Sequence, residues 1–353
     1  MRRFFPLLIL TVCLAACTPS ARIEPTRSLP TVTPSICLPC GRAAATMTAR
    51  LPATETMAAM QATQTFVAPT VRAEMTGTAE AQITPTLTAQ TTCGSFPCRL
   101  NGHFLFQRPI GLTGKQSIER AYPYGSNQGG TREVHHGVEF YNAQGTPVLA
   151  AADGKVVFAG NDKLTLLAWV TGYYGNVIVL EHHFPGFEQT FYTLYGHQFK
   201  LNVKEGDEVK AGQVIGQVGA TGIAIGSHLH FEVRIAENTY QSNRNPELWL
   251  APLPGTGVLT GRIVDAQGKL LKGTVNLQRV ENGVLDPLPA GAVETYAHDA
   301  QRINADDTWQ ENFTLGEVPA GEYRLTLLEN GALYEQQVTI EAGRLTLVEF
   351  LVR

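Results

Sequence analysis

The chain has 353 residues, a formal net charge of −4 and only 16% charged residues, with nine histidines and six cysteines. Its length accommodates two ordinary domains and a linker, at about 100–200 residues per domain. The acidic balance and the lack of any Lys/Arg run exclude a nucleic-acid footprint as its organising feature.

The start, Met1-Arg2-Arg3-Phe4 through Ala16, joins a basic end to an apolar run of about a dozen residues. A bilayer span takes about 20, so residues 1–16 read as a secretory signal peptide. The run ends in Leu14-Ala15-Ala16-Cys17, which resembles a bacterial lipobox, with Cys17 as the lipid-modified first residue. More than one acyl chain there makes a lasting anchor. The expectation is an exported protein held by lipid at the bacterial cell envelope.

Residues 17–98 form a Thr/Ala/Pro-rich stalk with two Cys pairs. From Thr18 to Thr92 the only aromatic is Phe66, and Lys, Asp and His are missing. Such a composition cannot bury enough apolar surface to offset its ordering entropy, which predicts a disordered tether. Flexible-chain scaling gives it a mean reach of roughly 45–50 Å. In an oxidising compartment Cys37, Cys40, Cys93 and Cys98 suggest two disulfides, with three connectivities open; metal or redox chemistry at Cys37-x-x-Cys40 is the other reading.

A first domain, residues 99–252, consists of short β-rich runs: Pro147–Ala151, Gly154–Ala159, Asn176–Glu181 and Phe191–Tyr195. Gly, Asp and Asn separate them and no long helical period intervenes, which predicts an antiparallel β-fold. Pro252-Leu253-Pro254-Gly255 reads as a hinge. Residues 257–353 alternate again, with turn signals at Asp265–Gly268, Pro319–Gly321 and Glu341–Gly343, and predict a smaller β-sandwich.

Seven of the nine histidines lie between His135 and His230, and that crowding argues for a site. In His228-Leu229-His230 the strand period of two puts both imidazoles on one face and Leu229 and Phe231 on the other. His135 and Glu139 share a face too, but on a straight strand their Cα atoms stand roughly 13–14 Å apart. Shared metal binding therefore needs a bend, and Gly137 is where the chain can make it.

The order HHGVEF, PVLAAADGKVVFAG, YYGNVIVLEHH, YTLYGHQ, VKEGDEVKAGQVIGQVGATG, SHLHFEV resembles the lysostaphin/LytM-type zinc endopeptidases, which cut bacterial peptidoglycan cross-links. The resemblance implies one Zn2+ on His135, Glu139 and His230, with His197 and His228 as the catalytic pair, and peptidoglycan peptides as substrate. The family has Asp where this chain has Glu139; the charge is kept and the reach grows by one methylene. A non-catalytic relative that binds wall peptides or activates an amidase is the alternative, although such relatives typically lose histidines that this chain keeps. His136, His182 and His183 read as supporting or surface residues. Tyr122 and Tyr124 read as lining a substrate groove, and Arg132 as a structural or substrate contact. The last domain resembles the carboxypeptidase-regulatory-like, prealbumin-type β-domains through Gly261–Gly268 and Val318–Arg324, and offers no chemistry of its own.

Overall fold

The computed structural model describes residues 93–297 and 303–353. The signal segment, Cys17, the Cys37/Cys40 pair and the stretch from Thr18 to Thr92 lie outside the described residues. Cys93 and Cys98 form a disulfide, the local pairing among the three open ones.

In chain order the strands are β1 Cys98–Leu100, β2 Val138–Tyr141, β3 Pro147–Leu149, β4 Gly154–Asn161, β5 Asn176–His182 and β6 Phe191–Gly196. They continue with β7 Lys200–Leu201, β8 Glu208–Val209, β9 Val214–Gln217, β10 His228–Ile235 and β11 Asn243–Arg244. The C-terminal half adds β12 Thr256–Asp265, β13 Thr274–Glu281, β14 Val284–Glu294, β15 Phe313–Pro319, β16 Gly321–Glu329, β17 Ala332–Ile340 and β18 Leu345–Val352. The fold is mainly β, as the alternation predicts, and the C-terminal turns fall where Gly and Pro mark them.

The central sheet runs β11-β10-β6-β5-β4-β8 and is antiparallel throughout. One edge of β10 is held by β6; the other is shared by β2 along its first half and β11 along its second. The period of two sends Leu229, Phe231 and Val233 into the apolar core, together with Phe140, Val156 and Ile178. The other face of β10 carries His228, His230, Glu232 and Arg234, and all four are buried as well. A strand buried on both faces with charge on one of them must satisfy that charge internally.

The C-terminal half pairs two four-stranded sheets, β1-β18-β12-β15 and β14-β13-β16-β17. Two features differ from the expected layout. β12 and β18 run parallel, and β1, at the very start of the central domain, is an edge strand of the C-terminal sheet. Where the sequence suggests a hinge at 252–255, the flanking elements share one core: Val258, Trp309, Leu345 and Leu347 pack in the same cluster as Phe106 and Trp249. The chain there is a tight link between packed bodies rather than a free joint, because apolar surface on both sides is buried mutually.

Candidate metal centre

β2 and β10 are the frame. Their antiparallel register places Glu139 directly opposite His230 and Tyr141 opposite His228, so four polar side chains meet on one face of two adjacent strands. His135 arrives from the segment before β2, which is not in strand conformation. The bend falls at Gly137, where a Cβ would stand 2.4 Å from the Phe231 carbonyl oxygen and 2.9 Å from the His230 ring. Only glycine lets this backbone pass so close to β10.

The result is a compact donor set. His135 Nε2 lies 2.9 Å from Glu139 Oε1 and 3.2 Å from His230 Nδ1, and Glu139 Oε1 lies 3.1 Å from His230 Nδ1. Among the described residues, His135, Glu139 and His230 are the one group of His, Cys, Asp or Glu side chains gathered closely enough to hold a metal ion. Two imidazole nitrogens and a carboxylate oxygen suit zinc chemically. Ligands about 2.0–2.1 Å from a tetrahedral ion stand roughly 3.3 Å from one another, close to the spacing seen here. The longer arm of Glu139 therefore does not carry its carboxylate out of the cluster; its second oxygen faces His228 Nε2 at 2.9 Å.

A polar ladder along β10 backs the cluster. Glu232 Oε1 takes a hydrogen bond from His230 Nε2 at 3.0 Å, Arg234 Nε donates to Glu232 Oε2 at 2.8 Å, and the Tyr174 hydroxyl donates to Glu232. With Nε2–H held by Glu232, Nδ1 is the atom at which a metal ion would take the place of a proton, the usual way a second partner sets a ligand's tautomer. Burial alone would raise Glu139, but His230 first, and then the ring nitrogens of His135 and His228 beside its oxygens, hold it well below the ordinary carboxylate range. Burial works against a charge on His230, and the Glu139 and Glu232 carboxylates push it up to about 9 all the same. Sequence reading passed over Glu232, Arg234 and Tyr174, although the period of two that marks His228 and His230 also puts Glu232 and Arg234 on their face.

His197 and His228 flank the cluster, with ring centroids 4.8 Å apart; His197 is 5.7 Å from His230. His197 sits at φ 60°, an uncommon conformation for a non-glycine residue and a frequent one at working sites. Its N–H donates to the Tyr174 carbonyl at 2.9 Å and its Nδ1 to the Thr221 carbonyl at 2.8 Å, leaving Nε2 as acceptor. Those two loops touch backbone to backbone: a Cβ on Gly175 would lie 2.4 Å from the Gly222 nitrogen. Burial, with His230 beside it, brings His197 down to about 3, so the ring is neutral. His228 Nδ1 faces the Gly226 carbonyl at 3.1 Å.

Over the cluster opens a cleft of about 240 Å3, lined by Tyr122, Arg132, Tyr141, Trp169, Tyr173 and Ile225 among others. The Tyr122 ring stacks on His135 at 4.3 Å, and the Arg132 guanidinium lies 5.1 Å from the centre of that ring. Tyr124 does not line the cleft. It is buried against the C-terminal half, edge-on to Tyr296 at 5.2 Å, and its hydroxyl donates to the Asn243 side chain. His136 stacks on Tyr240 at 3.6 Å, His182 bridges the Asp153 carbonyl and the Thr193 hydroxyl, and His183 is exposed beside Glu181.

Residues 133–244 match the family model described as Peptidase family M23. The chain is 43% identical over 111 residues to the glycyl-glycine endopeptidase ALE-1 of Staphylococcus capitis, a span of 31% of this chain and 26% of that protein. It is 35% identical over 153 residues to lysostaphin of Staphylococcus simulans, covering 40% of this chain and 28% of the relative. It is also 35% identical over 111 residues to the murein hydrolase activator NlpD of Escherichia coli (strain K12), covering 31% and 24%. The chain thus spans about a quarter of the length of these relatives. Its central part, residues 133–244, is a domain of peptidase family M23.

Proposed function

We propose that this domain is a zinc-dependent endopeptidase that hydrolyses peptide bonds in peptidoglycan cross-links, with one Zn2+ held by His135 Nε2, Glu139 Oε1 and His230 Nδ1. The observation that carries the reading is the convergence of these three atoms within 3.2 Å beside two further imidazoles. When bound, zinc supplies Lewis acidity, polarising a carbonyl and bringing the pKa of water towards about 7.

The protein's own groups do the rest. His197 Nε2, a neutral acceptor oriented by the Thr221 carbonyl, takes the proton from the attacking water. His228, its Nε2 next to Glu139 Oε2, would stabilise the oxygen on which negative charge develops. Tyr122, Tyr173 and Trp169 give the peptide an aromatic lining, and Arg132 gives the rim a cation. The secretory start and Cys17 make the protein an exported lipoprotein at the cell envelope in this account.

Metal analysis tests the ligand set. The wild type is expected to carry about one zinc per chain, and His135→Ala and His230→Ala to lose it. His197→Ala is expected to keep the metal and lose hydrolysis by at least roughly 10²-fold. Full metal retention in both ligand variants would overturn the assignment. The similarity to NlpD favours a second reading, a wall-binding or amidase-activating lipoprotein without catalysis of its own. Retention of the whole set, His135, Glu139, His197, His228 and His230, favours the enzyme.

A further inference from the structure

The family match covers residues 133–244 and leaves out both the segment 118–132 and the C-terminal sandwich. Those two are bound to each other, and the first of them leads directly towards the proposed metal ligand His135. Ile118 N–H donates to both carboxylate oxygens of Glu317, at 3.0 and 3.2 Å. Arg120 reaches the Gly316 carbonyl at 2.7 Å. Glu317 makes these contacts from φ 56°, a conformation that persists only where its surroundings over-determine it.

The second attachment lies closer to the site. Ala297 N–H donates to the Gly125 carbonyl at 2.7 Å, and Gly125, at φ 76°, lies so near Tyr296 that a Cβ would stand 2.5 Å from its ring. Gly125 N–H donates in turn to the His135 carbonyl at 2.8 Å, and His135 N–H to the Ser126 carbonyl at 2.9 Å. Both backbone groups of His135 are thus held by a two-residue step that is itself seated on Tyr296 and Ala297. Between the two attachments the segment backs onto a cavity of about 700 Å3, larger than the cleft over the histidines, so its packing is discontinuous.

We infer that the C-terminal sandwich is a positioning element of the metal centre. Tyr296, Ala297 and Glu317 fix the segment that carries Tyr122 and holds the backbone of His135, and metal affinity depends on a domain that offers no ligand. The inference rests on the metal-site reading above, and the test separates the two.

The experiment measures Zn2+ affinity by chelator competition, well below the unfolding temperature, together with hydrogen exchange at the Gly125 and His135 amides. Tyr296→Ala is expected to weaken zinc binding by roughly 10–100-fold, the scale on which groups supporting a ligand act. Tyr296→Phe, which keeps the ring under Gly125, is expected to restore most of it. Glu317→Gln, which tests the same segment from its other end if Tyr296→Ala folds poorly, should fall between the two. Val338→Ala, in the sandwich core and outside both attachments of the 118–132 segment, should lower thermal stability and leave zinc affinity unchanged. Wild-type zinc affinity and exchange in both Tyr296→Ala and Glu317→Gln would overturn the inference. If the wild type itself bound no zinc, the metal reading would fail, and exchange would still decide: faster exchange at Gly125 and His135 in the variants supports the positioning role, unchanged exchange ends it.

Discussion

Two glutamates, Glu232 behind the histidine cluster and Glu311 where the sandwich meets the central domain, are both fully buried, and they end in opposite states. Burial alone raises either one. At Glu232 the Arg234 guanidinium and His230 outweigh it and hold the carboxyl far below its ordinary range, as an ion. Among the described residues no cation pairs with Glu311. It accepts from the Tyr296 hydroxyl at 3.0 Å and the Asp306 N–H at 2.8 Å, and burial with the Asp306 charge nearby pushes it up to about 8. Partners rather than depth decide whether a buried carboxylate is charged. The charged one stands where a ligand must be oriented, and the neutral one where two bodies are joined.

Breaking the first member of the pair should have the largest effect. Arg234→Met leaves Glu232 buried without its guanidinium, and a loss of about 3–5 kcal/mol in unfolding free energy is expected. Denaturant unfolding checks it. Zinc affinity should fall as well, since Glu232 orients His230; unchanged stability and affinity would mean that the ladder is dispensable.

The second member gives a pH signature of defined sign. The folded value of Glu311 lies above its ordinary 4.5, so the stability it contributes is full below that value and lost as pH rises through about 8. Glu232, being depressed, contributes stability above its ordinary value of 4.5 and loses it on acidification. The difference in Tm between wild type and Glu311→Gln should therefore drift against the wild type from pH 5 to about 8. A difference constant across that window would show that Glu311 does not take up its proton on folding.

An exposed charge supplies the smallest effect. Arg132 at the rim of the cleft forms no ion pair with a carboxylate among the described residues, and its removal costs no buried partner. Arg132→Ala is expected to leave Tm and kcat near wild type and raise KM several-fold, with a weaker salt dependence. Steady-state kinetics at two ionic strengths would show it.

Much of the site was legible because its logic is local. The alternation in His228–Val233 and the glycine in His135–Glu139 carry their geometry within a few residues, and the strand pairing only closes them. Glu232 and Arg234 were readable by the same period and were missed because charged residues on a strand usually mean a solvated face. Tyr124 was misread for the converse reason: a loop tyrosine beside a motif gives no sign of which body it packs against. The pairing of Cys98–Leu100 with Leu345–Leu347, the parallel β12–β18 ladder and the shared core across residues 252–255 depend on partners hundreds of residues away or in another domain. Alternation announces a buried face; it does not name what buries it.

The central claim is tested most directly by incubating purified peptidoglycan with the zinc-loaded protein and counting newly exposed amino groups, then repeating the assay after chelation and after zinc is restored. The account predicts new peptide termini with metal, none after chelation, recovery with zinc, and none from His197→Ala. Metal-replete protein that binds the wall, or stimulates a separate amidase, while exposing no new amino groups would contradict it.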